Sequence, residues 1–354
     1  MFKGYISNTI GRIQWTIHTQ NSFLIPYLEQ IEGTANNTLL KILREDRYKV
    51  IGEFEITHTN DTETYLIKVY KYPHLFQKIK YLFKQTRAFN EFKTTYIAAM
   101  KGFPVEVPAA YGEQKGFLSK KSYLVIRKIK HSSNLREFLR SATSLKERKD
   151  VLRKFGKLAK DAHEGGIKQD DFSLDNFLVY NDEIFGKKLI LIDFERVSIQ
   201  TISLREKHRV WYLAKLNRAK QYFTNTERLR FLLSYTDGDF SYCKRLARQI
   251  EMITIRIQKK DARKFWKQCV NENRKFGVFE NASYYGYYRK NYLIETLIKL
   301  LDTIEKTDWD IIYTNQFQIF HFTENFSTGL NYRNITRVWM HANALFALRI
   351  NVPV

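Results

Sequence analysis

Cysteine, acidic residues and long apolar runs are all in short supply in this chain. Its two cysteines, Cys243 and Cys269, cannot form a disulfide framework, and neither has the spacing of a metal ligand. The pair fits a reducing compartment. No window approaches eighteen consecutive apolar residues, so no transmembrane helix is expected. The first residues lack an uninterrupted apolar core, so no secretory leader is expected either. Any membrane contact would then be peripheral. Acid is scarce relative to base: 37 Asp+Glu stand against 59 Lys+Arg, a formal charge of +22. That excess favours an anionic partner, whether nucleic acid, an acidic membrane face or a phosphorylated substrate. No low-complexity segment or flexible linker is present.

A core is nevertheless well supplied, because 44% of the 354 residues are hydrophobic. The length suits two lobes or two domains. Residues 38–58 mix alternation with β-branched and aromatic side chains, and Asn60-Asp61 marks a turn. YLIKVYKYP (65–73) then reads as a strand ended by Pro73. A basic helix is predicted over 75–100, with Phe89, Phe92, Tyr96 and Ala99 near helical spacing. Pro104 and Pro108 bar helix from 103–113, which reads as loop and strand, and KSYLVIRKI (121–129) is a further strand. LREFLRSA is a short helix. Residues 145–164 form a clearer one, with an apolar stripe through Leu145, Val151, Leu152, Phe155, Leu158, Ala159 and Ala162. Gly165-Gly166 ends it. After Ser198 the pattern is almost wholly helical.

The stretch QDDFSLDNFLVYNDEIFGKKLILIDFER (169–196) carries the chemistry. Asp171 is followed by Asn176, a polar hairpin, the apolar strand LILI, and Asp193-Phe194. This is the layout of a kinase catalytic loop and its metal-binding Asp. Asp and Asn are also turn formers, so a plain β-hairpin is the competing reading. In the kinase reading Asp171 accepts the proton of an attacking hydroxyl, and Asn176 and Asp193 hold Mg²⁺ against ATP. Lys68, on one strand face with Leu66 and Tyr70, is the candidate for the phosphates; Lys71 lies on the other face. Glu91, acidic in a basic helix, is the candidate to orient Lys68, or else an ordinary surface carboxylate. The pattern departs from kinases in three places. Gln169 replaces the usual His, Glu195 follows Asp-Phe where Gly is common, and no G-x-G-x-x-G loop exists, Gly52 standing alone. Phosphate cover by the first hairpin would have to use other backbone amides.

These residues resemble the bacterial lipopolysaccharide core kinase family, whose members act on Kdo and heptose. The matching segments are LLKILREDRYKVIGEFEI, YLIKVYKYP, RAFNEFKTTYIAAMKGFPVEVPAAYGE, SYLVIRKI and the 169–196 block, with YLAKLNRAKQYF (212–223) and FWKQCVNENRKF (265–276) similar to later helices. The resemblance covers about residues 1–280. It implies an α+β, two-lobed protein-kinase-like fold: a small antiparallel β lobe (1–130, with an N-terminal extension) and a larger, mainly helical lobe (131–280). Residues 281–354 would be a helical C-terminal region. Its end (335–354) echoes 91–108, either as the start of a second kinase-like repeat or by chance. The resemblance further implies ATP and Mg²⁺ as cofactors and a lipopolysaccharide inner-core acceptor. It also implies an anionic membrane surface as docking partner at the cytoplasmic face of the bacterial inner membrane. Two other readings remain: a kinase of the same fold acting on a protein or small-molecule hydroxyl, and a catalytically silent membrane- or partner-binding module. Nucleic acid is not expected, because a nucleic-acid binder would explain the charge but not the Asp/Asn constellation.

Strand alternation alone separates the two lysines of YLIKVYKY. Lys68→Ala is expected to cut turnover more deeply than Lys71→Ala, because the two face opposite sides of the sheet. Steady-state kinetics on both variants checks this, and equal small effects would leave the phosphate lysine unassigned.

Overall fold

Alternating apolar side chains in the first third of the chain build one antiparallel sheet. The computed structural model describes residues 2–33, 40–58, 61–114, 116, 121–142, 144–280, 285–290, 311–313, 318–320 and 340. The chain divides into two units, Met1–Ile250 and Glu251–Val354. In the first unit, β1 (Tyr5–Ile10) and β2 (Ile13–His18) form a hairpin followed by α1 (Ile25–Gly33). Next come β3 (Lys41–Glu45), β4 (Lys49–His58), β5 (Asp61–Lys71), α2 (Leu75–Phe83), α3 (Arg87–Met100), β6 (Ala110–Gln114) and β7 (Lys121–Arg127). The seven strands are ordered β1-β2-β6-β7-β5-β4-β3, each antiparallel to its neighbour.

The period of two sorts side chains to the two faces of this sheet. On one face Trp15, Ile17, Phe54, Tyr65, Ile67 and Val125 pack with Leu24 and Leu28. On the other, Tyr5, Tyr70, Tyr72 and Leu124 pack with Ala88 and Phe92 of α3. The N-terminal segment, expected as an extension, is an integral edge of this sheet; its I-x-W-x-I alternation (13–17) is the signal for it. The helix expected over 75–100 is two helices. Lys84 is extended, and Thr86 starts α3 afresh by accepting the Phe89 amide at 3.2 Å.

The helical part of the first unit begins with β8 (Ser133–Asn134), α4 (Leu135–Ser141) and α5 (Leu145–Glu164). Asn134 and Glu137 make a reciprocal capping box on α4, and Ser144 caps α5. At the far end of α5, Gly166 takes φ +77°, where a Cβ would strike the carbonyls of Gln200 and Ile202. Then follow β9 (Ile167–Gln169), β10 (Phe177–Asp182), β11 (Gly186–Leu191), β12 (Val197–Ile199), α6 (Glu206–Asn217) and α7 (Asn225–Tyr235). β10 lies between β11 and β8, while β9 pairs with β12. The family-like segment 212–223 is helical only to Asn217 and then forms a short 3-10 turn, Lys220–Tyr222.

α8 (Phe240–Gln268) spans the division between the units. Beyond it the expected all-helical pattern fails. β13 (Phe276–Glu280) pairs with β14 (Tyr285–Arg289), and β15 (Ile311–Tyr313) pairs with β16 (Gln318–Phe320). The helix expected at 265–276 stops at Gln268, because Asn273 turns the chain: its Oδ1 accepts the amides of Lys275 and Phe276. FGVFE and YGYYR then alternate aromatics with glycine, a strand pattern. Strands also fall within the region 281–354 that was expected to be helical; the suggested repeat at 335–354 lies outside the described residues except for Met340.

Candidate active site

A buried carboxylate on α3 organises the site. Glu91 is 1% exposed. Lys68 of β5 donates to its Oε1 at 2.6 Å, and the Tyr70 hydroxyl, two residues along the same strand face, donates to its Oε2. Lys71 points the other way and pairs with Glu45 at 2.6 Å. The Lys68 ammonium also lies 3.5 Å from Asp193 Oδ1. Burial would by itself lower the Lys68 pKa, but the carboxylates of Glu91 and Asp193 outweigh it and hold it above the usual lysine range.

The loop between β9 and β10 presents the other polar groups. Asp171 is exposed, and its carboxylate accepts no hydrogen bond from any described residue. Asn176 is buried and donates its Nδ2 to the Asp171 carbonyl at 2.6 Å. That bond fixes which end of the amide is spent, and leaves Oδ1 as a free oxygen donor. Asp193 adopts the left-handed conformation, φ 61°, which is sparsely populated outside glycine and asparagine. Its side chain is 40% exposed. The donor set fits Mg²⁺, a hard cation that takes one or two carboxylates and completes its shell with phosphate oxygens and water. Among the described residues no three His, Cys, Asp or Glu side chains converge, so the protein's share would be one carboxylate and one amide oxygen.

Of the five residues expected from the sequence, Lys68, Glu91 and Asp193 are therefore brought into one contact chain, and Asn176 is bound to the backbone of Asp171. Other neighbours complete the site; Gln169 was marked in the sequence as a departure, and the rest were not foreseen. Gln169 is 1% exposed and donates Nε2 to the carbonyls of Ile192 and Asp193 at 3.2 and 3.4 Å, holding the strained residue from behind. Lys215 of α6 donates to the Asp170 carbonyl at 2.6 Å; burial lowers its pKa against the opposing pull of Asp170 and Asp171. Arg136 of α4 grips Asp175 through two bonds of 2.7 and 2.6 Å, bracing the same loop. His163 is not a competing base. It is fully buried beside the Tyr235 hydroxyl, and burial, aided by Arg209, pushes it down to about 3.

Glu195, the residue that stands where glycine was expected, has an ordinary backbone, because the positive φ falls on Asp193 instead. Its carboxylate receives Lys49 of β4 at 2.9 Å and the Arg87 guanidinium of α3. Both cations also lie over the Tyr70 ring, at 5.4 and 5.0 Å from its centroid. At the tip before β4, Asp46 Oδ1 accepts the amides of Tyr48 and Lys49, so these two amides are already satisfied. Gly52 lies within β4 and not at that tip.

A strand lysine paired to a helix glutamate, beside an Asp at a strained turn and an Asp/Asn loop, is the arrangement of a phosphotransferase. Residues 35–235 match the Lipopolysaccharide kinase (Kdo/WaaP) family, and the chain belongs to that family of phosphotransferases. Among solved structures the chain is similar to WaaP in complex with acyl carrier protein. The identity is 18% and the TM-score 0.44, over 60% of this chain and 88% of that one. No curated protein matches the chain by sequence.

Glu195 generates a pH prediction. Burial would raise its pKa, but Lys49 and Arg87 outweigh burial and hold it at about 2. A depressed folded-state value contributes stability that is full above the unfolded pKa and is lost as pH falls through the folded one. Glu195→Gln is expected to destabilise the protein by roughly 2 kcal/mol at neutral pH. The gap to wild type should narrow below the ordinary glutamate range and close near pH 2. Denaturant melts at several pH values check this; a gap independent of pH would contradict the ion pairs.

Proposed function

We propose that this chain is an ATP- and Mg²⁺-dependent kinase that phosphorylates a sugar hydroxyl, of Kdo or heptose, in the lipopolysaccharide inner core. The observation that carries this reading is the Lys68–Glu91 pair at 2.6 Å, set 3.5 Å from Asp193. Phosphoryl transfer asks a protein for positioning and charge neutralisation more than for covalent chemistry. In this reading the molecule works as two lobes, the sheet and α3 forming the small one (1–130) and the following helices (131–280) the large one. Lys68 neutralises the α/β-phosphates, and Glu91 with Tyr70 keeps its ammonium in place. Asn176 Oδ1 and the Asp193 carboxylate would hold Mg²⁺, which supplies charge neutralisation at the phosphates. The acceptor hydroxyl gives its proton to the Asp171 carboxylate as its oxygen bonds to the γ-phosphorus and the bond to the β-phosphate oxygen breaks. ADP leaves. The free, exposed carboxylate of Asp171 suits that role. The lipid-linked acceptor places the enzyme at the cytoplasmic face of the inner membrane. No helix among the described residues is long and apolar enough to cross it, and the charge of +22 suits an anionic leaflet.

The direct test is transfer of one phosphate from ATP to purified inner-core acceptor, followed by mass spectrometry. Asp171→Asn is expected to lower turnover by about 10²–10⁴, the usual cost of losing a general base, with an unchanged melting temperature. Near-wild-type turnover would remove Asp171 from the mechanism. Asp193→Ala is expected to weaken Mg·ATP binding by about tenfold or more while the apo protein stays folded, since the carboxylate faces metal and phosphate. Calorimetry decides this, and unchanged nucleotide affinity would exclude the role.

A further inference from the structure

Helix α2 carries three apolar side chains, Leu75, Phe76 and Ile79, on the outside. Phe76 is 77% exposed, Leu75 61% and Ile79 42%. At about 100° of rotation per residue the three share an arc of about 100°. Tyr81 lies roughly opposite, packed into the cluster under the sheet with its ring 4.5 Å from that of Tyr72. That contact fixes the facing of the helix: the tyrosine is in, and the three apolar side chains are out. A contiguous exposed patch of this kind marks an interaction surface and not the ordinary scatter of surface hydrophobics.

Charge identifies the surface it fits. From residue 71 to residue 87 the sequence contains Lys71, Lys78, Lys80, Lys84 and Arg87 and no Asp or Glu. Lys71 and Arg87 are engaged by Glu45 and Glu195. Lys80 and Lys84 are exposed, and neither meets a carboxylate of a described residue. Apolar side chains on one arc of a short helix, with unneutralised Lys80 on the adjoining arc and Lys84 just past its end, are complementary to a plane that is negative outside and apolar within. The helix has nine residues, and His74 supplies no side-chain cap, so little beyond its neighbours stabilises it in water.

We propose that α2 is the element that docks this protein on an anionic bilayer. Leu75, Phe76 and Ile79 enter the boundary between headgroups and acyl chains, while Lys80 and Lys84 meet lipid phosphates. This rests on the reading of the acceptor as lipid-linked. The placement has a consequence for that reading, since α2 joins the strand that carries Lys68 to the helix that carries Glu91. Docking would hold the phosphate lysine and its partner close to the surface in which the acceptor is anchored.

The test uses the full chain and flotation with two kinds of vesicle: phosphatidylglycerol mixed with phosphatidylethanolamine, and phosphatidylcholine alone. The variants are Phe76→Ser/Ile79→Ser and, as control, Ile184→Ser/Phe185→Ser, whose side chains are 83% and 65% exposed at a hairpin turn. Melting temperatures monitor folding, and phosphate transfer to a deacylated, water-soluble core oligosaccharide is measured in parallel. Wild type and control should float with the anionic vesicles and not with phosphatidylcholine. The α2 variant should lose about a hundredfold or more in partitioning, the scale of removing two apolar side chains from an apolar medium, with soluble-acceptor turnover retained. Failure of wild type to float, equal flotation of the α2 variant, or an equal loss in the control would overturn the proposal; the first of these would point to a protein as the cover of α2. Flotation that depends on α2, in a chain that phosphorylates no acceptor, would uphold the docking helix and sink the kinase reading.

Discussion

A carboxylate with almost no exposure to water is tolerable only when each of its oxygens is matched. Glu91 is such a group, and the rest of the site depends on how it is matched. Its two partners, Lys68 and Tyr70, are two residues apart on one strand, hence on one face. A one-residue slip of β5 would turn Val69 towards Glu91 and leave the charge unpaired. The ladders that put Lys68 opposite Ile51 on one side and Leu124 on the other are therefore fixed from within the sheet by apolar packing, and from outside it by one glutamate.

The same network reaches the segment around Asp193. Lys49 and Arg87 flank the Tyr70 ring and close on Glu195, so β4, β5 and α3 all bind a stretch of chain more than a hundred residues away in sequence. Three carboxylates, Glu91, Asp193 and Glu195, face three cations, Lys68, Lys49 and Arg87. The members are not equivalent. Glu91 is closed off and Glu195 nearly so, whereas Asp193 is 40% exposed and only 3.5 Å from Lys68 at its nearest. The loosest contact in a balanced network is the one that a phosphate-bound cation can replace at least cost, and it belongs to the residue to which the proposed mechanism gives that cation.

How much of this was legible in the sequence depended on the range of each interaction. β5 and α5 could be read because their signals are local: alternation in YLIKVYKY, and an apolar stripe ended by a glycine pair. Asp171, Asn176 and Asp193 were singled out by a spacing, Lys68 by a strand face and Glu91 as an acid in a basic helix, and the structure joins Lys68 to Glu91 and Asp193. The partners of Glu195 could not, since nothing in the neighbourhood of Lys49 or Arg87 announces a carboxylate so far along the chain. The break at Lys84–Thr86 was missed because neither glycine nor proline marks it and basic residues flank it on both sides. The strands after Gln268 were missed because a long run of lysine and arginine sets a helical expectation that two asparagines and alternating aromatics then override.

Gln169 is the departure whose physics is most instructive. Asp193 holds a left-handed backbone that costs on the order of 1–3 kcal/mol for a residue with a side chain, so something must fix it. The fixing atom is a donor directed at two successive carbonyls, those of Ile192 and Asp193. An amide NH₂ has two protons for two acceptors, whereas a neutral imidazole carries a single N–H, on one of its two nitrogens. The amide also does not titrate, so its hold on Asp193 is the same at every pH in which the protein is folded. The exchange carries a cost, because Gln169 Oε1 is buried with no partner among the described residues. That cost falls on stability and not on the arrangement of Asp193. The position therefore requires a donor, and its being an ionisable ring in other kinases is a separate matter from what holds this site together.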